Sequence, residues 1–281
     1  MSTALRIWTA AKQVLSYIAL LAAAAVFLFP FYWLSISAFK TRDQLFQIPP
    51  QFIPHPAVLE NFVNVFRETT LARAFLNSCI IAGGYVSLAV FLCSLGGYAF
   101  AKYRCAPGRE KLFAFVLGTM MIPTAVTMIP VFVVLARLDL VNTYWAMILP
   151  GAASAFGIFW MRQYIDANVP DDLLAAARID GCGEFGIFWK VVLPVCKPAL
   201  AALSILLLIG SWNNLMWAFV VLRTPDMYSM PLVIYLLQGE FRTPYGMVMA
   251  GGLLATLPLV VAFVVFQRAF IQGMTAGALK F

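Results

Sequence analysis

Hydrophobic residues fill six long stretches of the chain that contain no Asp, Glu, Lys or Arg. A helix needs roughly 20 consecutive apolar residues to cross the hydrocarbon core of a bilayer, and each stretch is about that long or longer. The pattern predicts an all-α polytopic membrane protein with six transmembrane helices in a single transmembrane domain over 1–281. We place the spans near 14–37, 74–101, 112–136, 142–161, 198–222 and 247–267.

Glycines and prolines modify this picture inside and between the spans. Pro123 and Pro130 each remove a backbone donor, so we expect the third span to be kinked or broken. A short amphipathic helix is predicted over 58–66, at the membrane interface. Paired glycines permit close helix packing and occur at Gly83-Gly84, Gly96-Gly97 and Gly251-Gly252.

Composition and charge support a membrane location and give an orientation. Of the residues, 63% are hydrophobic and 11% are charged, against about 25% charged in soluble domains. Lys and Arg in short loops mark the cytoplasmic side. Their positions predict cytoplasmic termini and external segments at 39–73, 137–141 and 223–246. The net charge of +7 is explained by this topology and does not indicate nucleic-acid binding. These basic residues are Arg6, Lys12, Lys102, Arg104, Arg109, Lys111, Arg178, Lys190 and Lys197.

A polar segment at 168–198 separates the fourth span from the fifth and carries signals for a helix. Pro170 suits the first helical position, where its missing N–H is not needed. Asp171 and Asp172 place negative charge at the positive end of the helix dipole, and Gly181 supplies a stop. The segment therefore predicts a short cytoplasmic helix from about 170 to 180.

The same segment resembles the cytoplasmic loop of permease subunits in binding-protein-dependent ABC importers. That signature reads Glu-Ala-Ala, three residues, Gly, nine residues, Ile-x-Leu-Pro. Val191 takes the Ile position, and Ala175 stands where the family usually has Glu. The positions that match are Ala176, Ala177, Gly181, Leu193 and Pro194.

Further motifs look like the carbohydrate-uptake branch of that family, specifically its maltose-type second permease, over nearly the whole chain. They are Asn61-Phe62, Asn77-Ser78, Ala99-Phe100-Ala101, Pro107-Gly108, Pro123 with Pro130, Leu140-Val141-Asn142-Thr143, Trp212-Asn213, Gln267-Arg268 and Gly273-Met274-Thr275-Ala276-Gly277.

The resemblance implies a type I importer permease with a coupling loop at 166–197, in a bacterial or archaeal inner or plasma membrane. It implies four partners in import of a sugar or oligosaccharide: a second homologous permease, two ATPase subunits that bind ATP and Mg²⁺, and an extracytoplasmic solute-binding protein. We expect coupling to the ATPase to depend on the face formed by the small side chains of Ala176 and Ala177. It should also depend on the turn at Gly181 and on Asp180 as the remaining acid. The full set of expected ATPase-coupling residues is Ala175, Ala176, Ala177, Arg178, Asp180, Gly181, Leu193 and Pro194.

Missing motifs exclude several classes of function. The sequence has no Gly-x-x-x-x-Gly-Lys phosphate loop, so we expect no ATP, other cofactor or metal on this chain and no enzymatic activity. Its single histidine, His55, lies between two prolines, and its five cysteines lack paired ligand spacing. The uncharged spans argue against an ion-coupled secondary carrier or a channel, since such carriers commonly keep ionisable residues in the membrane.

Two amides and two indoles in the fifth span are the candidate substrate pathway. Trp212, Asn213, Asn214 and Trp217 combine stacking surfaces with hydrogen-bonding groups, as a neutral sugar requires. The alternative is that they hold helices together through interhelical hydrogen bonds and indole packing. Glycerol-3-phosphate or a related polyol derivative remains open as the alternative substrate.

Overall fold

The computed structural model describes residues 3–239 and 243–275. All regular secondary structure among these residues is helical, and they contain no strand. The α-helices are α1 (Thr3–Ala38), α2 (Arg42–Leu45), α3 (Glu60–Glu68), α4 (Leu71–Lys102), α5 (Arg109–Gly118), α6 (Thr124–Arg137), α7 (Tyr144–Ile148), α8 (Ala155–Asn168), α9 (Asp171–Ile179), α10 (Glu184–Ile187), α11 (Leu193–Val195), α12 (Lys197–Trp212), α13 (Leu215–Val221), α14 (Met230–Leu236) and α15 (Tyr245–Thr275). Two 3₁₀ turns (Thr119–Met121 and Pro225–Met227) and one π-helix (Phe188–Val192) complete the described elements.

Three helices among the described residues are long and apolar enough to cross a membrane, by length and composition alone. They are Lys12–Ala38, Leu71–Lys102 and Tyr245–Gln267. Two bent pairs bring the number to five if each is one span: Arg109–Met121 with Thr124–Arg137, and Glu184–Val195 with Lys197–Trp212. The all-α membrane fold is confirmed, while the third, fourth and fifth predicted spans are each interrupted.

The third stretch is broken, as its prolines predict. Its two arms meet at 104° on either side of Pro123, which directly precedes α6. A proline disfavours helical backbone in the residue before it, and Ile122 is extended with ψ 119°. Pro130 lies inside α6 without ending it, so Pro123 is the residue that breaks this span.

The fourth stretch, 142–161, does not form one continuous helix. The five-residue helix α7 ends at Ile148, and α8 starts only at Ala155. Between them lie Pro150 and Gly151, whose φ of 86° is left-handed and incompatible with a right-handed helix. The absence of charge made this stretch look like a span, while its local breakers divide it.

The chain folds as two compact units, and the larger one contains the described residues of 70–233 and 255–275. In this unit α4 packs along α8 and α12 around a core in which Met161, Ile165 and Leu203 are fully buried. Close approach depends on small residues: a Cβ added at Gly97 would lie 2.5 Å from the Met161 Cβ. The packing role predicted for the paired glycines is confirmed at this position.

The other unit contains the described residues of 3–69, 234–239 and 243–254. Along α1, residues 12–32 are all exposed and almost all apolar, as expected for a helix whose neighbour is lipid. The predicted amphipathic helix at 58–66 is found at Glu60–Glu68, with Val65 buried. Asn61 fixes this helix to the chain by donating to the carbonyls of Ala38 and Lys40, both at 2.9 Å.

Candidate functional site

Helix α9 forms where the end signals predict it, with Asp171 and Asp172 in its first turn. Pro170 differs by one position from the prediction, because it lies directly before the first helical residue as the N-cap. At the other end the Gly181 φ is 82°, and the Gly181 N–H donates to the Arg178 carbonyl at 3.0 Å. The Cys182 N–H donates to the Ala177 carbonyl at 3.0 Å, which completes a Schellman cap.

The two faces of α9 have different neighbours. Leu174 and Ala177 are 2% and 8% exposed and belong to the core of the larger unit. Ala176 is exposed on the outer face, together with Leu173 (41%) and Ile179 (87%). The expectation that Ala176 and Ala177 form one exposed face of small side chains is therefore wrong. Adjacent helical positions are 100° apart, and of the two only Ala176 points outward. Ala175 and Asp180 are also exposed.

The end of α4 holds the start of α9 in place. The Lys102 Nζ lies 2.7 Å from the Asp171 carboxylate and donates to the Val169 carbonyl at 2.5 Å. The Lys102 side chain is only 3% exposed, so this charge is covered by the contacts that fix it. The hydrogen bond from Lys102, with its charge, lowers the pKa of the Asp171 carboxyl below its ordinary value.

The far end of α9 is held by Glu184, a residue that the sequence did not suggest. The Arg178 Nε donates to one carboxylate oxygen of Glu184 at 2.8 Å, and the Arg178 Nη2 donates to the other at 3.3 Å. The hydroxyls of Tyr103 and Tyr98 donate to the second oxygen at 2.7 and 3.2 Å. Four hydrogen bonds on one carboxylate thus connect α9 and α10 to the end of α4. The Schellman turn produces this network by reversing the chain between Arg178 and Glu184.

These donors favour the charged form of Glu184, so the stability that the network contributes depends on pH. The hydrogen bonds from Arg178 and Tyr103 lower the pKa of Glu184 from 4.5 to about 2. Because the folded state lowers this pKa, the network stabilises the fold fully above about pH 4.5, and its contribution is lost as the pH falls toward 2.

We expect Glu184→Gln to lower the thermal midpoint of the detergent-purified protein near pH 7. The difference from wild type should shrink as the pH is lowered from 5 to 2.5, because wild type then loses the same interaction. Thermal unfolding followed by tryptophan fluorescence measures both quantities. Glu68→Gln, at an exposed acid in α3, is the control for a general charge effect. A difference between Glu184→Gln and wild type that does not change with pH would contradict the assignment.

Leu193 and Pro194 follow an unusual helical turn. Residues Phe188–Val192 form a π-helix, and the Leu193 N–H donates to the Phe188 carbonyl five residues earlier. Pro194 lacks an N–H, and its ring would clash with the carbonyl four residues back in a regular α-helix. The wider turn removes that conflict. Leu193 packs against the core of the larger unit, so its first role here is structural.

The candidate pathway residues separate into two pairs. The Trp212 Nε1 donates to the Ala255 carbonyl at 3.0 Å, and the Trp217 Nε1 donates to the Ala146 carbonyl at 2.8 Å. These bonds join different helices, as the structural alternative requires. Asn213 and Asn214 are exposed and separate α12 from α13, and among the described residues their hydrogen bonds stay within their own segment. A pathway role therefore stays a prediction for the two amides.

Side chains that can bind metals are dispersed in the part of the chain whose side chains are described. No group of three or more His, Cys, Asp or Glu side chains lies close enough there to hold a metal ion. Three acids of the loop at 166–197 are bonded to basic side chains: Asp166 to Arg104, Asp171 to Lys102, and Glu184 to Arg178. These three ion pairs position the backbone of the loop.

Two curated relatives align over almost the whole chain. The arabinooligosaccharides transport system permease protein AraQ of Halalkalibacterium halodurans is 39% identical over 260 residues, which cover 92% of each protein. The lactose transport system permease protein LacG of Rhizobium radiobacter is 35% identical over 268 residues, covering 95% of this chain and 96% of LacG.

A solved structure and a family model agree with these relatives. A chain in the crystal structure of a bacterial ABC transporter involved in the import of the acidic polysaccharide alginate matches with a TM-score of 0.79 and 25% identity. The match covers 96% of this chain and 99% of that one. Residues 93–276, which include the whole polar loop, match the family model of the binding-protein-dependent transport system inner membrane component. The chain belongs to that family and is a multi-pass membrane permease subunit of an ABC importer.

Proposed function

We propose that this permease carries a sugar or oligosaccharide and receives its energy from two separate ATPase subunits, one of which docks on the outer face of α9. The observation that carries the proposal is the exposure of Ile179 and Leu173 on a short helix held at both ends by ion pairs. Apolar side chains presented by a rigid helix favour a groove on another protein. ATP and Mg²⁺ are then bound by the partners and not by this chain.

The rest of the assembly is proposed from membership of the binding-protein-dependent family, and the uncharged spans agree with an external source of energy. A second homologous permease pairs with this one around a central pathway, and an extracytoplasmic binding protein delivers the substrate. Both termini and α9 face the cytoplasm. Closure of the ATPases moves α9, and with it α4, through the Lys102 and Glu184 contacts. In this scheme Asn213 and Asn214 face the pathway or the second permease rather than lipid.

The departure at Ala175 is compatible with docking. A glutamate there would give one partly exposed ion pair, which contributes only about 0–1 kcal/mol. Ala175 is exposed, and the outer face keeps Asp180 as an acid. We infer that the fit of the outer face into its groove carries the mechanical load, with the ion pair as an accessory.

A neutral sugar is favoured over a phosphate ester because the six uncharged stretches contain no Lys or Arg. Two relatives are named for transport of arabinooligosaccharides and of lactose. A phosphate ester in a membrane pathway needs a positive partner, which would have to come from the second permease. A neutral sugar needs only hydroxyl partners such as amides.

Disulfide crosslinking in the purified complete complex tests docking. Single cysteines at Ile179 and at Ala176, in a background with Cys79, Cys105 and Cys182 changed to Ser, should form crosslinks to cysteines placed along the ATPase groove. The buried neighbour Ala177, replaced in the same way, is the matched control and should form none. Absence of any product at Ile179 in an intact complex would refute docking on this face.

The same complex tests the substrate class. Arabinooligosaccharides and lactose, each with the cognate binding protein, should stimulate ATP hydrolysis more than glycerol-3-phosphate does. Stimulation by glycerol-3-phosphate alone would overturn the sugar assignment and leave docking untouched. The permease reconstituted alone should show neither uptake nor ATP hydrolysis.

A further inference from the structure

The segment Glu184–Val195, which follows α9, turns sharply before the fifth span. Its axis makes an angle of 82° with that of Lys197–Trp212. If α12 crosses the bilayer close to the normal, a segment at 82° to it runs nearly parallel to the membrane plane. The segment begins at Glu184 on the cytoplasmic side and ends where α12 enters the membrane. That orientation of α12 would place the segment along the membrane surface rather than through the membrane.

Two aromatic side chains are exposed on one face of this segment. Phe185 and Trp189 are 63% and 55% exposed, and their rings stack with centroids 6.3 Å apart and planes at 19°. The opposite face is sealed, since Ile187, Phe188 and Val192 are at most 1% exposed in the core of the larger unit. Phe185 and Trp189 therefore form a second, exposed apolar face, and the packing of the buried face into the core fixes its position.

Charge separates this segment from α9. Apart from Glu184, whose carboxylate is bonded to Arg178, the stretch from Glu184 to Lys197 contains no acid, and its two cations are the exposed Lys190 and Lys197. Helix α9, by contrast, carries Asp171 and Asp172 and is followed by Asp180. The cytoplasmic leaflet is anionic, so it attracts the basic segment and repels the acidic helix. Aromatic rings beside lysines are the composition found at the headgroup level of membranes.

We propose that Glu184–Val195 lies on the cytoplasmic surface of the membrane, with Phe185 and Trp189 inserted into the headgroup region beside the anionic lipids that Lys190 and Lys197 contact. This deepens the proposed function, because it rests on the same orientation of the loop. The loop then has two occupants on different faces: protein on the outer face of α9 and lipid on Phe185 and Trp189. The Arg178–Glu184 pair lies at the boundary between them.

Depth measurements on spin labels in the complete complex, embedded in nanodiscs with anionic lipid, test the proposal. Labels at Phe185 and at Trp189, each introduced singly in the background with Cys79, Cys105 and Cys182 changed to Ser, should be more accessible to oxygen than to a water-soluble nickel chelate. A label at Ile179, the matched exposed position on α9, should not show this preference. Nickel access at Phe185 and Trp189 equal to or above oxygen access overturns the proposal, as does exclusion of both reagents by a protein contact.

Native fluorescence provides a second measurement with a conservative change. Lipids brominated near the headgroup should quench the wild-type complex more than the Trp189→Phe variant. Lipids brominated at the chain end should show a smaller difference between the two proteins. Equal quenching of wild type and Trp189→Phe by both lipids overturns the proposal. ATPase crosslinks at Ile179 distinguish this failure from failure of the docking assignment, because each can be lost while the other remains.

Discussion

Replacing Gly181 by leucine is expected to abolish substrate-stimulated ATP hydrolysis in the complete complex. Gly181 has a φ of 82°, and left-handed backbone costs a residue with a β-carbon about 1–2 kcal/mol. No atom lies within 4 Å of an added Cβ, so the effect comes from the backbone and not from a clash. Relaxation of that strain undoes the Schellman cap, which moves Arg178 away from Glu184 and turns the outer face of α9 out of its groove.

Gly183→Leu is the matched control for this substitution. Gly183 is also exposed and free of neighbours within 4 Å, but its φ of −70° is ordinary for any residue. We expect this variant to retain stimulated hydrolysis and transport. Phosphate release with and without substrate-loaded binding protein measures both. Coupled hydrolysis that survives in Gly181→Leu, together with absent crosslinks from α9, would show that the helix is not the docking element.

Replacing Gly97 by alanine is expected to cause a large loss of stability from one methyl group. The new Cβ would lie 2.5 Å from the Met161 Cβ and 2.8 Å from the Arg162 backbone nitrogen, and backbone cannot rotate aside. Helices α4 and α8 must therefore separate along their contact. Overpacking of this kind costs about 1–3 kcal/mol, so the thermal midpoint should fall by several degrees.

Gly83→Ala on the same helix is its control, because no atom lies within 4 Å of that position. Alanine is the better helix former, so this variant should be neutral or slightly stabilised. Thermal unfolding in one detergent compares the two variants directly. Equal midpoints for Gly97→Ala and wild type would mean that α4 and α8 are less closely packed than the structure has them.

Local signals in the sequence predicted the ends of the functional helix well. Pro170, Asp171 and Gly181 act on their own backbone, so their effect can be read without knowing the fold. The same is true of Pro123, which breaks the third stretch. The fourth stretch shows the limit of hydropathy alone, since Pro150 and Gly151 divide a segment that has no charge to mark its end.

Partners distant in the sequence could not be predicted in this way. Glu184 acquires its role only when the turn after α9 brings it to Arg178 and the end of α4 brings Tyr98 and Tyr103. The inward direction of Ala177 likewise depends on which side of α9 meets the core. Motif spacing identified the segment, while its faces were set by tertiary packing.

The π-turn at Phe188–Val192 has a consequence for how the loop can vary among related permeases. Such a turn contains one residue more than an α-turn, so deleting one residue there would restore an ordinary α-turn. Everything before it would then rotate about the local axis by about 100° relative to the fifth span. Phe185 and Trp189 would point in another direction although each side chain was unchanged. The number of residues between Gly181 and Val191, which is nine, therefore fixes the rotation of the loop relative to the fifth span. Insertions or deletions of single residues should be tolerated far less here than substitutions.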